Sequence, residues 1–164
     1  MPRVTVDTTI ARPADEVWAA IGEFGNLNWQ EAVESCEVTG DLRIAKMAGI
    51  DLVVDEHLVH HDDAQRTYTY AVVAMRGVTD FELGDGNVLD LTTMIDHHRA
   101  MITVVPLDDA TCRVDYELEI DVVDDPNFES TAGQYQSVID DLKNQLERRA
   151  GARASGDTRR SMAG

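Results

Sequence analysis

Apolar and polar positions alternate with period two from Arg3 to Ile10, which predicts a first strand. Pro13 then opens a helix, with Asp15 and Glu16 in the first turn, where a carboxylate suits the helix dipole. Val17, Trp18, Ile21 and Phe24 give that helix an apolar face, and Gly22, Gly25 and Asn26 mark its end. Asn26 to Ala32 reads as a second, short helix carrying Leu27 and Trp29. Period two returns at Val33–Thr39, Leu42–Ala48 and Leu52–His61, with hairpin turns at Gly40-Asp41 and Gly49-Ile50-Asp51. His61 to Ala64 is a third turn, before a strand at Arg66–Met75.

Arg76 to Thr93 holds Gly77, Gly84, Asp85, Gly86 and Asn87, and reads as a long loop or as a loop flanking a short strand. Strands at Met94–Val105 and Cys112–Val123 follow, joined by a turn at Leu107–Thr111. In the second, Val114, Tyr116, Leu118, Ile120 and Val122 alternate with Asp115, Glu117, Glu119 and Asp121, so the apolar set is expected to face in. Pro126 begins the last helix, where Phe128, Ala132, Tyr135, Ile139, Leu142 and Leu146 recur at helical spacing. The tail from residue 151 to 164 is small, polar and basic, and is expected to be disordered. The order of elements predicts an α+β fold: a curved antiparallel sheet of about six to seven strands around a long C-terminal helix, with two short helices after strand 1. One ligand-binding domain over residues 1–150 accounts for the pattern. A strongly bent sheet and one helix do not meet everywhere, so a cavity is expected between them.

Charge narrows the partners. There are 31 acidic against 14 basic residues, a formal net charge of -17, which repels nucleic acid and anionic membranes. The two cysteines, Cys36 and Cys112, lie far apart without a CxxC pair, so neither a disulfide framework nor a zinc site is expected. The N-terminus lacks the apolar run of a signal peptide, and no stretch approaches ~18 apolar residues, so a cytoplasmic protein is expected. No nucleophile elbow, P-loop or dinucleotide fingerprint is present.

Candidate chemistry lies where polar groups interrupt apolar faces. Glu56 shares a strand face with Val54 and Leu58 by period two. Burial among such neighbours raises a carboxyl pKa and suits it to acid–base work; the ordinary alternative is a half-buried Glu paired with Arg43 or Arg66. Tyr68 and Tyr70 share a face with Val72, and a phenol offers an apolar ring with a hydroxyl that orients a carbonyl. Of His97 and His98, period two lets only one face in. His57 and His61 are expected on one face and His60 on the other, with no third ligand, so no metal site is expected.

The stretch TTIARPADEVWAAIGEFGNLNWQ, followed by the strand–Asp-Asp–strand hairpin EHLVHHDDAQRTYTYAV, resembles the START-like (SRPBCC) helix-grip superfamily, and within it the polyketide cyclase/dehydrase and lipid-transport family. The resemblance covers roughly residues 3 to 148. It implies a pocket between the sheet and the last helix, with Glu56 facing it and Tyr70 at an aromatic lining position. By loose alignment it places His98 inward beside Ala100 and Ile102. Abscisic-acid receptors, which share the pattern, carry a ligand-binding lysine where this chain has Glu34. The reversed charge argues for a neutral or cationic ligand, or for proton transfer. The expected catalytic set is therefore Glu56, Glu34, His98 and Tyr70. The expected lining is Val54, Leu58, Tyr68 and Val72, together with Trp29, Cys36, Phe81, Ala100, Tyr116 and Tyr135. Trp18 is expected to be plain core.

The resemblance implies a cofactor-independent cyclase or dehydratase acting on a polyketide-like intermediate. The other readings are a carrier or sensor of an apolar small molecule and, less directly, a protein-partner role. Expected partners are an apolar small molecule and at most a second copy of the chain as a homodimer.

Overall fold

The computed structural model describes residues 3–82, 86, 88–90, 98–120, 133 and 135–148. Nine strands and two helices are found among them: β1 Arg3–Ile10, α1 Ala14–Ile21, β2 Val33–Thr39, β3 Leu42–Met47, β4 Leu52–Asp62, β5 Thr67–Gly77, β6 Asp80–Glu82, β7 Val88–Asp90, β8 His98–Pro106, β9 Cys112–Ile120 and α2 at 135–148. Seven strands form one antiparallel sheet in the order β1-β9-β8-β5-β4-β3-β2, and β6 and β7 pair separately. The predicted α+β architecture is the observed one. Arg76 to Thr93, expected to be a long loop or a loop flanking a short strand, contains the antiparallel β6–β7 pair.

β9 shows how alternation sets the two faces. Val114, Tyr116 and Leu118 are buried. Outside, Asp115 pairs with Arg113 at 2.6 Å, and Glu117 and Glu119 take the two arms of Arg3. Both helices pack on the inner face. α1 contributes Ala14, Val17 and Ile21 to the core, and α2 contributes Ile139, Leu142 and Leu146 at helical spacing. Burying one such Ile or Leu stabilises the fold by about 1.5–3 kcal/mol. Polar side chains of α2 also reach β1: Gln136 Nε2 donates to the Asp7 carbonyl at 2.9 Å and Lys143 Nζ to that of Thr9 at 2.6 Å.

Three one-residue bulges interrupt the ladders. Val33 pairs with Met47 and Ser35 with Lys46, leaving Glu34 as the extra residue of β2. Between β4 and β5, Leu58 pairs with Tyr70 and His60 with Thr69, leaving out Val59. Asp55 pairs with Ala74 and Glu56 with Val72, leaving out Val73. Each bulge bends its strand and increases the local twist, which curves the sheet round α2. Val59 and Val73 point to solvent as a result.

Where a second short helix is expected, residues 26–32 form hydrogen-bonded turns. The amide of Gln30 donates to Leu27 and that of Val33 to Gln30, each three residues back. Asn26 Oδ1 accepts from the Asn28 amide at 3.0 Å, a side-chain bond that competes with helix formation. The expected elements at 94–97, 121–132 and the tail 151–164 lie outside the described residues, as do the side chain of Phe81 and the helix positions Phe128 and Ala132.

Gly77 closes β5 with φ +100°, and the next amide, Val78, donates to the Asp51 carbonyl at 2.6 Å. A Cβ on residue 77 would collide with that carbonyl. Gly77→Ala is therefore expected to lower stability by about 1–3 kcal/mol. Gly40→Ala, at φ +61° but in open space, should cost clearly less. Urea unfolding of both variants checks the order.

Candidate functional site

The inner face of β3 carries an arginine. Leu42 and Ile44 point outward and are half-buried, while Arg43 and Ala45 are buried. The β3–β4 register sets Arg43 opposite Glu56. Arg43 Nε donates to Glu56 Oε1 at 2.9 Å and Nη1 donates to the Phe24 carbonyl at 2.9 Å. The guanidinium lies over the rings of Phe24 and Tyr70, 4.4 and 4.5 Å from their centroids, and Tyr68 is at 5.9 Å. Each such contact is worth ~0.5–2 kcal/mol. Arg43 is 1% exposed. Burial pushes the Glu56 carboxyl above the ordinary carboxylate range, while the charge and N–H of Arg43 pull against that rise. Burial is the largest influence on Arg43 and opposes its charge, but Glu56 together with Tyr68, Tyr70 and Tyr116 outweighs it and holds the guanidinium protonated.

A second set of polar groups continues from Tyr70. Its hydroxyl hydrogen-bonds that of Tyr116. The Tyr116 and Tyr135 rings are 4.8 Å apart, and the Tyr135 hydroxyl hydrogen-bonds His98 Nε2 at 3.0 Å. His98 is 2% exposed, and its Nδ1 is buried with no hydrogen-bond partner among the described residues. Burial lowers the His98 pKa from 6.5 to about 4, so the imidazole is neutral at pH 7. Burial raises the pKa of Tyr70, Tyr116 and Tyr135, so the three phenols stay protonated. Tyr70 and Tyr116 are also pushed up by neighbouring tyrosines, and Tyr135 by Glu56. Five strands and α2 thus bring Arg43, Glu56, Tyr70, Tyr116, Tyr135 and His98 into one buried cluster.

Glu56, Tyr68, Tyr70, Val72, His98, Ala100 and Tyr116 are buried on the inner side, and Val54 and Leu58 are half-buried on the same face of β4. Trp29 is buried, with Nε1 donating to the Asn26 carbonyl and its own carbonyl accepting from Gln145 of α2. Cys36 is half-buried and packs against the core.

Glu34 is not part of the cluster. As the bulged residue of β2 it turns outward, is 55% exposed and pairs with Lys46 at 3.3 Å. That extra residue sets it apart from Glu56, His98 and Tyr70, with which the expected catalytic set groups it. The Val59 bulge likewise separates His57 from His61. His57 pairs with Leu42 and Ala71 on the outer face, whereas His61 pairs with Tyr68 on the inner one. Trp18 is half-buried, not plain core, because its indole N–H donates to Asp63 at the edge of the sheet. Arg43 appears in the sequence reading only as a possible partner of Glu56. The other possibility, Arg66, binds Asp15 instead.

A curved seven-stranded antiparallel sheet gripping a C-terminal helix, with a polar cluster between them, defines the START-like helix-grip class. The chain belongs to the polyketide cyclase / dehydrase and lipid transport family, whose model matches residues 1–148. No curated protein matches the sequence. Among solved structures, the chain is similar to an uncharacterized protein from Bacillus thuringiensis, with a TM-score of 0.68 and 19% identity over 88% of this chain and 98% of that one. It is also similar to a START superfamily protein from Mycobacterium smegmatis, with a TM-score of 0.64 and 13% identity over 89% and 97%. A third is norcoclaurine synthase from Thalictrum flavum, solved with dopamine and hydroxybenzaldehyde, with a TM-score of 0.56 and 14% identity over 90% and 87%. At these identities the likeness is one of fold. None of the described helices is long and apolar enough to cross a membrane.

Arg43→Met leaves the Glu56 carboxylate buried without its counter-charge and is expected to cost about 3–5 kcal/mol. Replacing both partners, Arg43→Met with Glu56→Leu, should recover most of that loss in urea unfolding. A double variant as unstable as the single one would show that the pair is not the source.

His98 gives a pH signature. Its folded pKa, about 4, lies below the ordinary 6.5, so the unfolded chain takes up the proton first as pH falls. Its contribution to stability is complete above about 6.5 and is lost as pH drops toward about 4, a difference of about 3 kcal/mol. Glu56 works the other way, since a carboxyl raised by the fold stabilises it once protonated. Wild type should therefore lose stability relative to His98→Gln between about pH 7 and 4. Parallel curves for the two would refute the assignment.

Proposed function

We propose that the chain binds an apolar, carbonyl-bearing small molecule between the sheet and α2, and acts on it as a cofactor-independent cyclase or dehydratase. The substrate class is a polyketide-like or related natural-product intermediate. The observation that supports this reading is convergence: Glu56, Tyr70, Tyr116, Tyr135 and His98 gather in one buried cluster. A carrier needs an apolar pocket and a single polar anchor, whereas an acid–base catalyst needs several titratable groups near one reacting centre.

In the proposed reaction, neutral His98 or the Glu56 carboxylate removes a proton from the carbon beside a carbonyl. The protonated phenols of Tyr70 and Tyr135 donate hydrogen bonds to the enolate oxygen as its charge develops. The enolate carbon attacks a second carbonyl of the same chain, forming a carbon–carbon bond. The new alkoxide takes up a proton, and a second proton abstraction with protonation of the hydroxyl expels water. The net change is loss of one water, and the base regains its starting state.

The carrier reading has one observation in its favour: Glu56 Oε1 is already engaged by Arg43, as suits an orienting anchor better than a free base. A matched test separates the two. Wild type, Glu56→Gln, His98→Gln and Tyr70→Phe are screened by thermal shift against apolar polycarbonyl compounds, and hits are followed by mass spectrometry. The catalytic reading expects all four proteins to be stabilised by a hit, with product loss of about 100-fold or more in the variants. Stabilisation without conversion by wild type would support the carrier.

A further inference from the structure

The end of α1 and the β4–β5 turn flank an open cleft of about 480 Å³, outside the buried cluster. Trp18, Phe24 and Leu58 form its apolar walls, and two carboxylates, Glu23 and Asp63, line it. Among the described residues no lysine or arginine does so. Its one basic side chain, His61, donates from Nε2 to the Gly22 carbonyl at 2.8 Å.

The aromatic wall is fixed in place. Trp18 Nε1 donates to Asp63 Oδ1 at 3.0 Å, which holds the indole by its edge. The His61 ring, 5.7 Å from the indole, and the Tyr68 ring, 6.1 Å from it, pack beside it. A Cβ at residue 22 would run into the indole, so Gly22 is what lets the ring lie against the end of α1. Asp63 is 79% exposed; the oxygen that accepts from the indole also lies 3.8 Å from His61 Nε2.

We propose that this cleft is a binding site for a small organic ammonium ion. A preformed aromatic wall with a carboxylate at its edge is the arrangement that attracts such a cation, through the ring quadrupole and through charge. The volume suits a small molecule. A bare metal ion is the wrong occupant, because it needs a shell of oxygen donors in place of ring faces. An anion would meet two carboxylates and no fixed cation. The formal charge of -17 raises the local concentration of cations around the whole chain. The inference is independent of the reaction proposed for the interior, since it uses none of those hydrogen-bonding groups.

The test is a titration of the full chain with choline, followed by the two indole N–H resonances. The expected result is a saturable shift of the Trp18 signal with the Trp29 signal unmoved. Asp63→Asn keeps the hydrogen bond to Trp18 but removes the charge, and should weaken choline binding by about tenfold. Trp18→Leu should abolish the saturable response at the Gly22 and Leu58 amides, and thermal unfolding of both variants confirms that they fold. Glu56→Gln should bind choline as wild type does. The neutral isostere with carbon in place of nitrogen should give no saturable shift. Equal binding of that isostere, no saturable shift with choline, or a response at Trp29 that Glu56→Gln removes would each overturn the proposal. A choline response at Trp18 would stand even if the interior proved to have no catalytic activity.

Discussion

A guanidinium buried under a sheet cannot be left alone. Isolated, such a charge is worth several kcal/mol of instability, and the arrangement around Arg43 is what makes its burial tolerable. Glu56 supplies the counter-charge from the facing position on β4. The Phe24 carbonyl accepts one Nη proton, which requires the chain to leave α1 after Ile21 without continuing the helix. Phe24 and Tyr70 present ring faces to the cation. These demands fix the β3–β4 register, because a slip of one residue would set Leu42 or Ile44 on the inner face and drive Arg43 out. The inward Tyr70 of β5 belongs to the same constraint.

The bulges decide what else joins the cluster. Without Val59 as an extra residue, period two would carry His60 to the inner face opposite Tyr68 and turn His61, which hydrogen-bonds the Gly22 carbonyl, outward. Without the Val73 bulge, the outer pair Asp55–Arg76 would lose its register with β5. The bulged positions are therefore points where the curvature of the sheet and the choice of inward side chains are set together. Glu34 shows the converse: the same device removes a carboxylate from the interior and leaves it to a lysine at the surface.

What could be read from the sequence follows from where simple periodicity holds. β9 has nine residues of strict alternation, so its inner and outer faces were legible, as was the apolar stripe of α2. His98 was legible only through the family resemblance, since period two alone lets either His97 or His98 face in. Arg43 was not, since Leu42 and Ile44 flank it and alternation alone would turn those two inward. The single-residue bulges at Glu34, Val59 and Val73 carry no Gly or Pro to announce them. Their effect is set by pairing with a neighbouring strand, which no local pattern encodes. Trp18 failed as a core residue for a related reason: the hydrogen bond that draws its edge outward is made by Asp63, 45 positions away.

The two sides of Phe24 present opposite chemistries. Inside, burial drives each titratable group toward its neutral form, lowering His98 and raising the tyrosines, and the one remaining charge pair, Arg43 and Glu56, cancels. An interior of that kind disfavours any ligand that brings a net charge, because no unpaired charge among the described residues of the cluster is there to meet it. Outside, the same ring helps to wall a cleft in which two carboxylates are uncompensated by lysine or arginine. A molecule with an ammonium group and an apolar carbonyl-bearing body would find its charge favoured only on the outer side and its body favoured on the inner one. Phe24 touches both regions, its ring lying 4.4 Å from the Arg43 guanidinium and lining the outer cleft, so one side chain separates the two environments.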